Sequence, residues 1–222
     1  MKREEFLVYA VGELLARKQP GKPLKVAIDG RSAAGKTTLC GELAEELRRR
    51  GVTTLLASAD DFHHSREHRY RQGELSAIGY YQDAVDIQAI IDSLLAPLSG
   101  HCFPVDCQIS SRDFRRDIPS NRHSVGVAPD TVLLFDGLFL FRPELNIYWD
   151  YRILVHIPPE TSLERGLARD VTLFGSPEAV ERRYNHRYEP AWQIYESRDA
   201  PWERADLIIG NASPQSPRML KS

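Results

Sequence analysis

The apolar residues of the chain fall into two kinds of segment that alternate along its length. Short runs of β-branched and aliphatic residues predict buried strands, and longer segments with apolar residues three and four positions apart predict amphipathic helices. The runs that predict strands cover residues 24–28, 52–57, 131–136, 151–157 and 205–209. Because helical patterns separate these runs, we predict an α/β fold in which a parallel five-stranded sheet is flanked by helices.

The helical patterns cover residues 3–18, 38–50 and 86–95, a short stretch within 138–149, and two stretches between 159 and 190. In the first two, an apolar stripe is expected to pack on the sheet. The residues expected in the core are Phe6, Val8, Leu14 and Leu15 in the first helix, and Leu39, Leu43 and Leu47 in the second.

Two polar regions interrupt this alternation. Residues 64–82 are irregular and predict a lid or substrate loop over the strand ends. Residues 101–109 predict one strand of a small hairpin, and residues 110–127 predict an exposed loop with the return strand. The loop is basic and carries Arg112, Arg115, Arg116 and Arg122.

A glycine-rich motif lies between the first predicted strand and the second predicted helix. Residues 30–37 fit the pattern G-x-x-x-x-G-K-[ST] at every fixed position. The glycines allow successive N–H groups to point at phosphate oxygens, and the helix N-terminus adds partial positive charge. We therefore predict a P-loop NTPase fold, with Lys36 at the β- and γ-phosphates and Thr37 on Mg²⁺. The predicted nucleotide-binding residues are Gly30, Arg31, Ser32, Ala33, Ala34, Gly35, Lys36, Thr37 and Thr38.

Carboxylates follow two of the predicted strands. Ligands of open α/β sheets bind beyond the carboxyl ends of the strands, so Asp60 and Asp136 are expected on the same side as the glycine-rich motif. Asp60 could accept the proton of an attacking hydroxyl, or cap the following segment. Asp136 could act on Mg²⁺ together with Thr37, or belong to a strand-end turn with Gly137.

Composition narrows the classes of protein that the chain could belong to. With 222 residues, 42% of them hydrophobic, we expect a single domain over residues 1–222. A net charge of −2 does not suggest binding to nucleic acid or anionic membranes. Three cysteines without a paired framework fit a reducing compartment, and neither a secretory pattern nor a spanning apolar run is seen. We expect a cytoplasmic protein.

Several motifs in the same order resemble the uridine kinase and phosphoribulokinase group of P-loop small-molecule kinases. The segments that carry the resemblance are residues 28–37, 60–63, 134–137, 165–170, 182–190 and 205–209. The resemblance implies ATP and Mg²⁺ as cofactors and transfer of the γ-phosphoryl group to a small molecule with a free hydroxyl. A nucleoside 5′-OH, as in uridine or cytidine, is the first expectation, and assembly into a homo-oligomer is left open.

The resemblance also implies roles for individual residues. Asp60 matches the general base, and Asp136 matches the acidic residue near the metal. Arg165 and Arg169 match arginines of a helical lid, here about residues 160–190, that stabilise the transferring phosphoryl group. From residue type alone, a solvated helix face is the less favoured alternative for these arginines.

The acceptor-binding segments depart from the pattern of uridine kinases. Residues 103–110 contain Asp106 but no Tyr or His, and residues 171–176 replace the basic stretch of the lid. A non-nucleoside acceptor, such as pantothenate, a sugar phosphate or a hydroxylated antibiotic, is therefore an alternative. The candidate acceptor contacts are His63, Tyr80, Tyr81, Asp106 and Arg112.

Other classes of nucleotide-binding protein are weaker matches. A GTPase would carry an Asn-Lys-x-Asp motif and a transport ATPase a Gly-rich signature, and the sequence has neither. A nucleotide-binding regulator without turnover remains an alternative, although it would not need a base at Asp60. A zinc site built from the histidines and cysteines matches no structural spacing.

Overall fold

The structure, a computed structural model, describes residues 2–114 and 116–222, so Arg115 of the basic loop lies outside the described residues. The strands are β1 (Leu24–Gly30), β2 (Thr54–Ser58), β3 (Val105–Gln108), β4 (Arg112–Asp113), β5 (Ile118–Pro119), β6 (His123–Val127), β7 (Val132–Asp136), β8 (Tyr151–His156), β9 (Leu207–Gly210) and β10 (Arg218–Lys221). The helices are α1 (Arg3–Arg17), α2 (Lys36–Arg49), α3 (Arg66–Arg69), α4 (Ala77–Asp83), α5 (Ile87–Ile90), α6 (Ala96–Leu98), α7 (Pro143–Asn146), α8 (Pro159–Phe174), α9 (Pro177–Arg183), α10 (Glu189–Asp199) and α11 (Pro201–Arg204). A 3₁₀ turn covers Ala59–Phe62, and π-helical turns cover Ile91–Leu95 and Tyr184–Tyr188.

The main sheet has six strands in the described part of the chain, in the order β10-β9-β8-β1-β7-β2. The inner pairs are parallel, as the sequence predicts. The predicted number of five strands is wrong, because β10 pairs antiparallel with β9 at the edge. Only Met219 and Leu220 are apolar in β10, and the segment is mostly exposed, so it lacks the pattern of a buried strand. The α/β fold class itself is confirmed.

Apolar side chains fill both faces of this sheet. On one face, α1 and α2 pack against the strands through residues such as Phe6, Leu14, Leu39 and Leu43. On the other face, the core contains Phe62, Ile90, Phe141, Trp192 and Tyr195. The prediction for Val8 is wrong, because the inward positions of α1 are Phe6, Ala10, Val11 and Leu14 while Val8 is 54% exposed.

Residues 64–82 form two short helices, which corrects the prediction of an irregular loop. Ser65 caps α3 by accepting from His68 N, and Ser76 caps α4 by accepting from Gly79 N. The predicted hairpin exists as β3 paired with β6, and a smaller pair, β4 with β5, lies within the basic loop.

The strand register brings the functional segments together. Ile28 of β1 and Ser58 of β2 are both opposite Asp136 of β7. The three strands therefore end side by side, followed by the glycine-rich loop, the 3₁₀ turn and Gly137. Within the described residues, no helix combines the length and the apolar character needed to cross a bilayer.

Candidate active site

The glycine-rich loop that follows β1 allows close approach of neighbouring groups. Gly30 has φ +152°, and a Cβ there would lie 2.2 Å from the carbonyl oxygen of Val155. Gly35 has φ +91°, and its Cβ would lie 2.8 Å from Nδ2 of Asn211. A side chain at either position would collide, so these glycines let the loop pack closely against its surroundings.

Lys36 begins α2 and folds back over the loop. Its Nζ donates to the carbonyl oxygens of Gly30 and Arg31, both at 2.8 Å. Burial lowers the pKa of Lys36, while the negative charges of Asp29, Asp136 and Asp60 act to raise it. The ammonium group therefore lies among carboxylates, at the loop that the sequence predicts to bind phosphates.

Thr37 and Asp136 supply neighbouring oxygen atoms to the site. The Thr37 hydroxyl donates to Oδ2 of Asp136 at 2.5 Å. Burial raises the pKa of Asp136, against the stabilising effect of Thr37 and Lys36 on its charged form. Mg²⁺ prefers oxygen ligands and commonly uses one or two protein groups together with phosphates, so this pair fits Mg²⁺. Across residues 2–114 and 116–222, no set of three His, Cys, Asp or Glu side chains converges as a metal site.

Asp60 lies in the 3₁₀ turn after β2 with its side chain 76% exposed. It is not the cap of that turn, because Ser58 Oγ accepts from the N–H of Asp60. Oδ1 of Asp60 lies 3.3 Å from Nε2 of His63. The neighbouring Asp61 is paired with Arg122 at 2.5 Å, so Asp60 is the carboxylate that remains open to a substrate.

One open cleft of about 1110 Å³ joins the glycine-rich loop to these carboxylates. The sequence-predicted residues that line it are Ser32, Ala33, Ala34, Gly35, Lys36, Thr37, Thr38, Asp60, His63, Tyr80, Asp136 and Arg169. Nucleotide-binding, metal-binding, proton-accepting and lid residues predicted from separate motifs therefore meet in one place.

Arg169 reaches this cleft from α8. Its Nε and Nη2 donate to the two oxygens of Asp170 at 2.7 and 3.0 Å. Asp170 also accepts from the Tyr184 hydroxyl at 2.8 Å, which ties α8 to the π-helical turn after α9. This pairing raises the pKa of Arg169, so the guanidinium is a permanent positive charge beside the cleft.

Arg165, one turn earlier on α8, is not brought into the cleft. Its Nη2 donates to the carbonyl oxygens of Asn211 and Ala212 at 2.9 and 3.0 Å. Arg31 likewise points away, because its Nε donates to Glu189 at 3.0 Å behind the glycine-rich loop. Because Nη1 of Arg165 also donates to the carbonyl oxygen of Ala33 at 3.5 Å, both arginines hold the loop against its surroundings.

Three of the predicted acceptor contacts also lie outside the cleft. The Tyr81 hydroxyl is buried and donates to Asp199 at 2.6 Å. Asp106 is exposed on β3 and accepts from Gly126 N at 2.7 Å. Arg112 donates to the carbonyl oxygen of Asp117 at 2.9 Å and so closes the β4–β5 turn.

Asp29 is a residue of the site whose role the sequence did not reveal. It is fully buried at the end of β1, and burial raises its pKa to about 6. Its oxygens accept from the N–H groups of Phe139 and Leu140 and from the Tyr195 hydroxyl. A carboxylate directly after the apolar run Val26–Ile28 was the available signal. The side chain joins the start of the glycine-rich loop to the segment that follows β7.

The cleft also contains residues that sequence reasoning did not select. Its walls include Arg69, Tyr70, Phe114, Arg122 and Arg187. Arg187 is almost fully buried and donates to the carbonyl oxygens of the segment between α3 and α4. These residues lie in short polar segments that have no periodic pattern, so the sequence does not indicate that they come together.

The chain is similar in sequence to known kinases. It is 26% identical over 175 residues to uridine-cytidine kinase B of Dictyostelium discoideum, covering 78% of this chain and 69% of that protein. It is 26% identical over 201 residues to the uridine kinase of Deinococcus deserti, covering 89% of this chain and 92% of that protein. Other curated relatives are longer, and the chain spans 41%, 36% and 39% of three of them. No family model matches the chain.

The fold has counterparts among solved structures. A possible uridine kinase from Bacillus stearothermophilus has a TM-score of 0.72 at 24% identity, covering 92% of this chain and 97% of that one. The chain therefore has the α/β P-loop fold predicted from its sequence, and with the curated relatives above, the predicted resemblance to uridine kinases is confirmed.

Proposed function

We propose that the protein transfers the γ-phosphoryl group of ATP to a hydroxyl of a small molecule. The observation that carries the proposal is the shared cleft, in which Asp60 lies with Lys36, Thr37, Asp136 and Arg169. The names of the curated relatives, uridine kinase and uridine-cytidine kinase, support the same class of reaction. In this proposal the whole chain is one cytoplasmic catalytic unit, and residues 160–190 form its lid.

Each group in the cleft has a chemical task in this reaction. Main-chain N–H groups of the glycine-rich loop and the Lys36 ammonium bind the phosphates. Asp60 accepts the proton of the attacking hydroxyl, and Arg169 stabilises charge on the transferring phosphoryl group. Thr37 and Asp136 hold Mg²⁺, which when bound neutralises phosphate charge. Positioning and electrostatics supply most of the rate enhancement in such in-line transfers.

A nucleoside 5′-OH is the first acceptor to test, because the curated relatives are named for uridine and cytidine. A non-nucleoside acceptor is the second candidate. Residues 103–110 correspond in position to the acceptor-binding segment of uridine kinases but depart from its pattern, and of these residues Ser110 alone lines the cleft. A non-catalytic nucleotide-binding regulator is the remaining alternative.

An ADP-release assay with ATP and Mg²⁺ tests the proposal. The panel comprises uridine, cytidine, other nucleosides, pantothenate, sugar phosphates and hydroxylated antibiotics, with Lys36→Ala as the control. Release that depends on one acceptor and is lost in the control supports the kinase proposal. If uridine and cytidine are inert but another compound reacts, the acceptor is of the second kind. Nucleotide binding without release for any compound would favour the regulator.

A further inference from the structure

The imidazole ring of His63 is held between the main chain and the Asp60 side chain. Its Nδ1 lies 3.0 Å from the carbonyl oxygen of Ala84, and its Nε2 lies 3.3 Å from Oδ1 of Asp60. The Phe114 ring packs on it with a centroid distance of 4.7 Å. The His63 side chain is 7% exposed and that of Asp60 is 76% exposed. The imidazole is therefore buried and packed on both sides, whereas the carboxylate is open to solvent.

The surroundings keep this imidazole neutral. Burial lowers the pKa of His63 to about 3, and Arg69 adds to the effect. The charged and titratable groups around the ring are Asp60 from its own turn, the adjacent His64, Arg69 of α3, Arg187 of the π-helical turn after α9, and Asp117 of the β4–β5 turn. Two arginines and two aspartates surround the ring, and burial is the largest effect, so a protonated imidazole is disfavoured.

A neutral imidazole has one N–H donor and one lone pair, but both neighbours of His63 accept hydrogen bonds when Asp60 is ionised. The carbonyl oxygen of Ala84 is fixed in the main chain and is the nearer partner, so the proton belongs on Nδ1. The lone pair of Nε2 then faces a carboxylate oxygen. This mismatch disappears when Asp60 is protonated, because its O–H can donate to Nε2.

We propose that His63 is a positioning residue that accepts, at Nε2, a hydrogen bond from the Asp60 carboxyl group after that group has taken the acceptor's proton. The inference rests on the proposed function. In the transfer step, the O–H bond of the acceptor breaks and its proton moves to Asp60. The acceptor oxygen bonds to the γ-phosphorus while the bond to the bridging oxygen breaks and ADP leaves. Asp60, being exposed, then returns the proton to solvent.

The tautomer of His63 can be measured without knowing the acceptor. Long-range ¹H–¹⁵N correlation spectra of the full chain with ¹⁵N-labelled histidine distinguish a protonated Nδ1 from a protonated Nε2. Loss of the signal in His63→Gln assigns it. We expect the Nδ1–H tautomer at pH 7. An Nε2–H tautomer or an imidazolium ion would overturn the proposal.

A pair of variants tests whether His63 acts through Asp60. The amide of His63→Asn can donate to Ala84 but offers no acceptor at the position of Nε2, whereas the oxygen of His63→Gln can reach that position. We expect kcat to fall roughly three- to tenfold in His63→Asn, the effect of one hydrogen bond, and to be largely restored in His63→Gln. The KM for ATP should stay unchanged in both. Equal losses in the two variants would overturn the proposal.

A double-mutant cycle completes the test, with turnover measured on the acceptor found in the screen or, lacking one, as ATP hydrolysis. In the Asp60→Asn background, His63→Asn should have no further effect on kcat, because its partner is already absent. The same fold-loss in both backgrounds would overturn the proposal. Failure of the proposed function is recognised separately, since Asp60→Asn would then keep the wild-type rate whatever tautomer His63 adopts.

Discussion

Two glycines inside long helices form a matched pair for testing how the lid packs. A Cβ added at Gly41 in α2 would meet no neighbouring heavy atom of the described residues within 4 Å, whereas a Cβ at Gly166 in α8 would lie 2.2 Å from Cζ of Tyr184. Alanine is favoured over glycine within a helix by about 1 kcal/mol. Gly41→Ala should therefore raise the free energy of unfolding by about 1 kcal/mol.

Gly166→Ala receives the same helical gain but must displace a buried ring. Overpacking costs about 1–3 kcal/mol. The displaced Tyr184 hydroxyl would also lose its hydrogen bond to the buried Asp170 carboxylate, a loss of about 1.5–3 kcal/mol. The net expectation is a free energy of unfolding lower by about 1.5–5 kcal/mol.

Urea unfolding of both variants measures this difference, and the phosphoryl-transfer assay adds a functional readout. Because Asp170 also binds Arg169, Gly166→Ala should lower kcat while Gly41→Ala leaves it unchanged. Equal stabilisation by the two substitutions would refute the reasoning, since α8 could then not be packed on Tyr184.

Three further perturbations probe other parts of the structure. Asp29→Asn should lower the free energy of unfolding, measured by urea titration, by about 2–4 kcal/mol. The reason is that an amide cannot accept from all the donors around the buried carboxylate. A loss of stability no larger than that of Tyr195→Phe would contradict this expectation. In the unfolded chain, His63 takes up a proton below pH 6.5. In the folded chain, burial lowers its pKa, so His63 stays neutral down to about pH 3. Wild type should therefore lose about 3 kcal/mol more stability than His63→Gln between pH 7 and pH 4, and parallel stability curves would contradict this. Asp136→Asn should raise the Mg²⁺ concentration for half-maximal activity at least about tenfold, and an unchanged Mg²⁺ titration would exclude Asp136 as a ligand.

The P-loop, Asp60 and Asp136 could be predicted from sequence because their positions depend on local features of the chain. Gly30 and Gly35 of the P-loop adopt φ values of +152° and +91°, a backbone requirement of the loop itself, so the motif carries its own geometry. Asp60 and Asp136 follow apolar strands, and the carboxyl ends of parallel strands lie at one edge of a sheet. These predictions needed the order of strands and helices but no detail of side-chain packing.

The part of the cleft that we propose binds the acceptor, around Arg69, Tyr80 and Arg187, could not be predicted in the same way. The helices α3 and α4 have four and seven residues, too few for an apolar period to be visible. Tyr80 and Tyr81 are adjacent in sequence, yet Tyr80 lines the cleft while the Tyr81 hydroxyl is bound to Asp199. Arg165 and Arg169 are one turn apart on α8 and have different partners. Which of two neighbouring side chains faces the cleft depends on tertiary contacts, and the spacing of residues along the chain does not encode these contacts.

The proposed mechanism depends above all on Asp60 acting as a base toward an alcohol held beside the P-loop. The most direct measurement compares Asp60→Asn with wild type for ATP binding by calorimetry and for phosphoryl transfer to the acceptor found in the screen. We expect ATP affinity within about threefold of wild type and transfer slower by about 10²–10⁴-fold, the usual contribution of a general base. Transfer at the wild-type rate with intact ATP binding would contradict it.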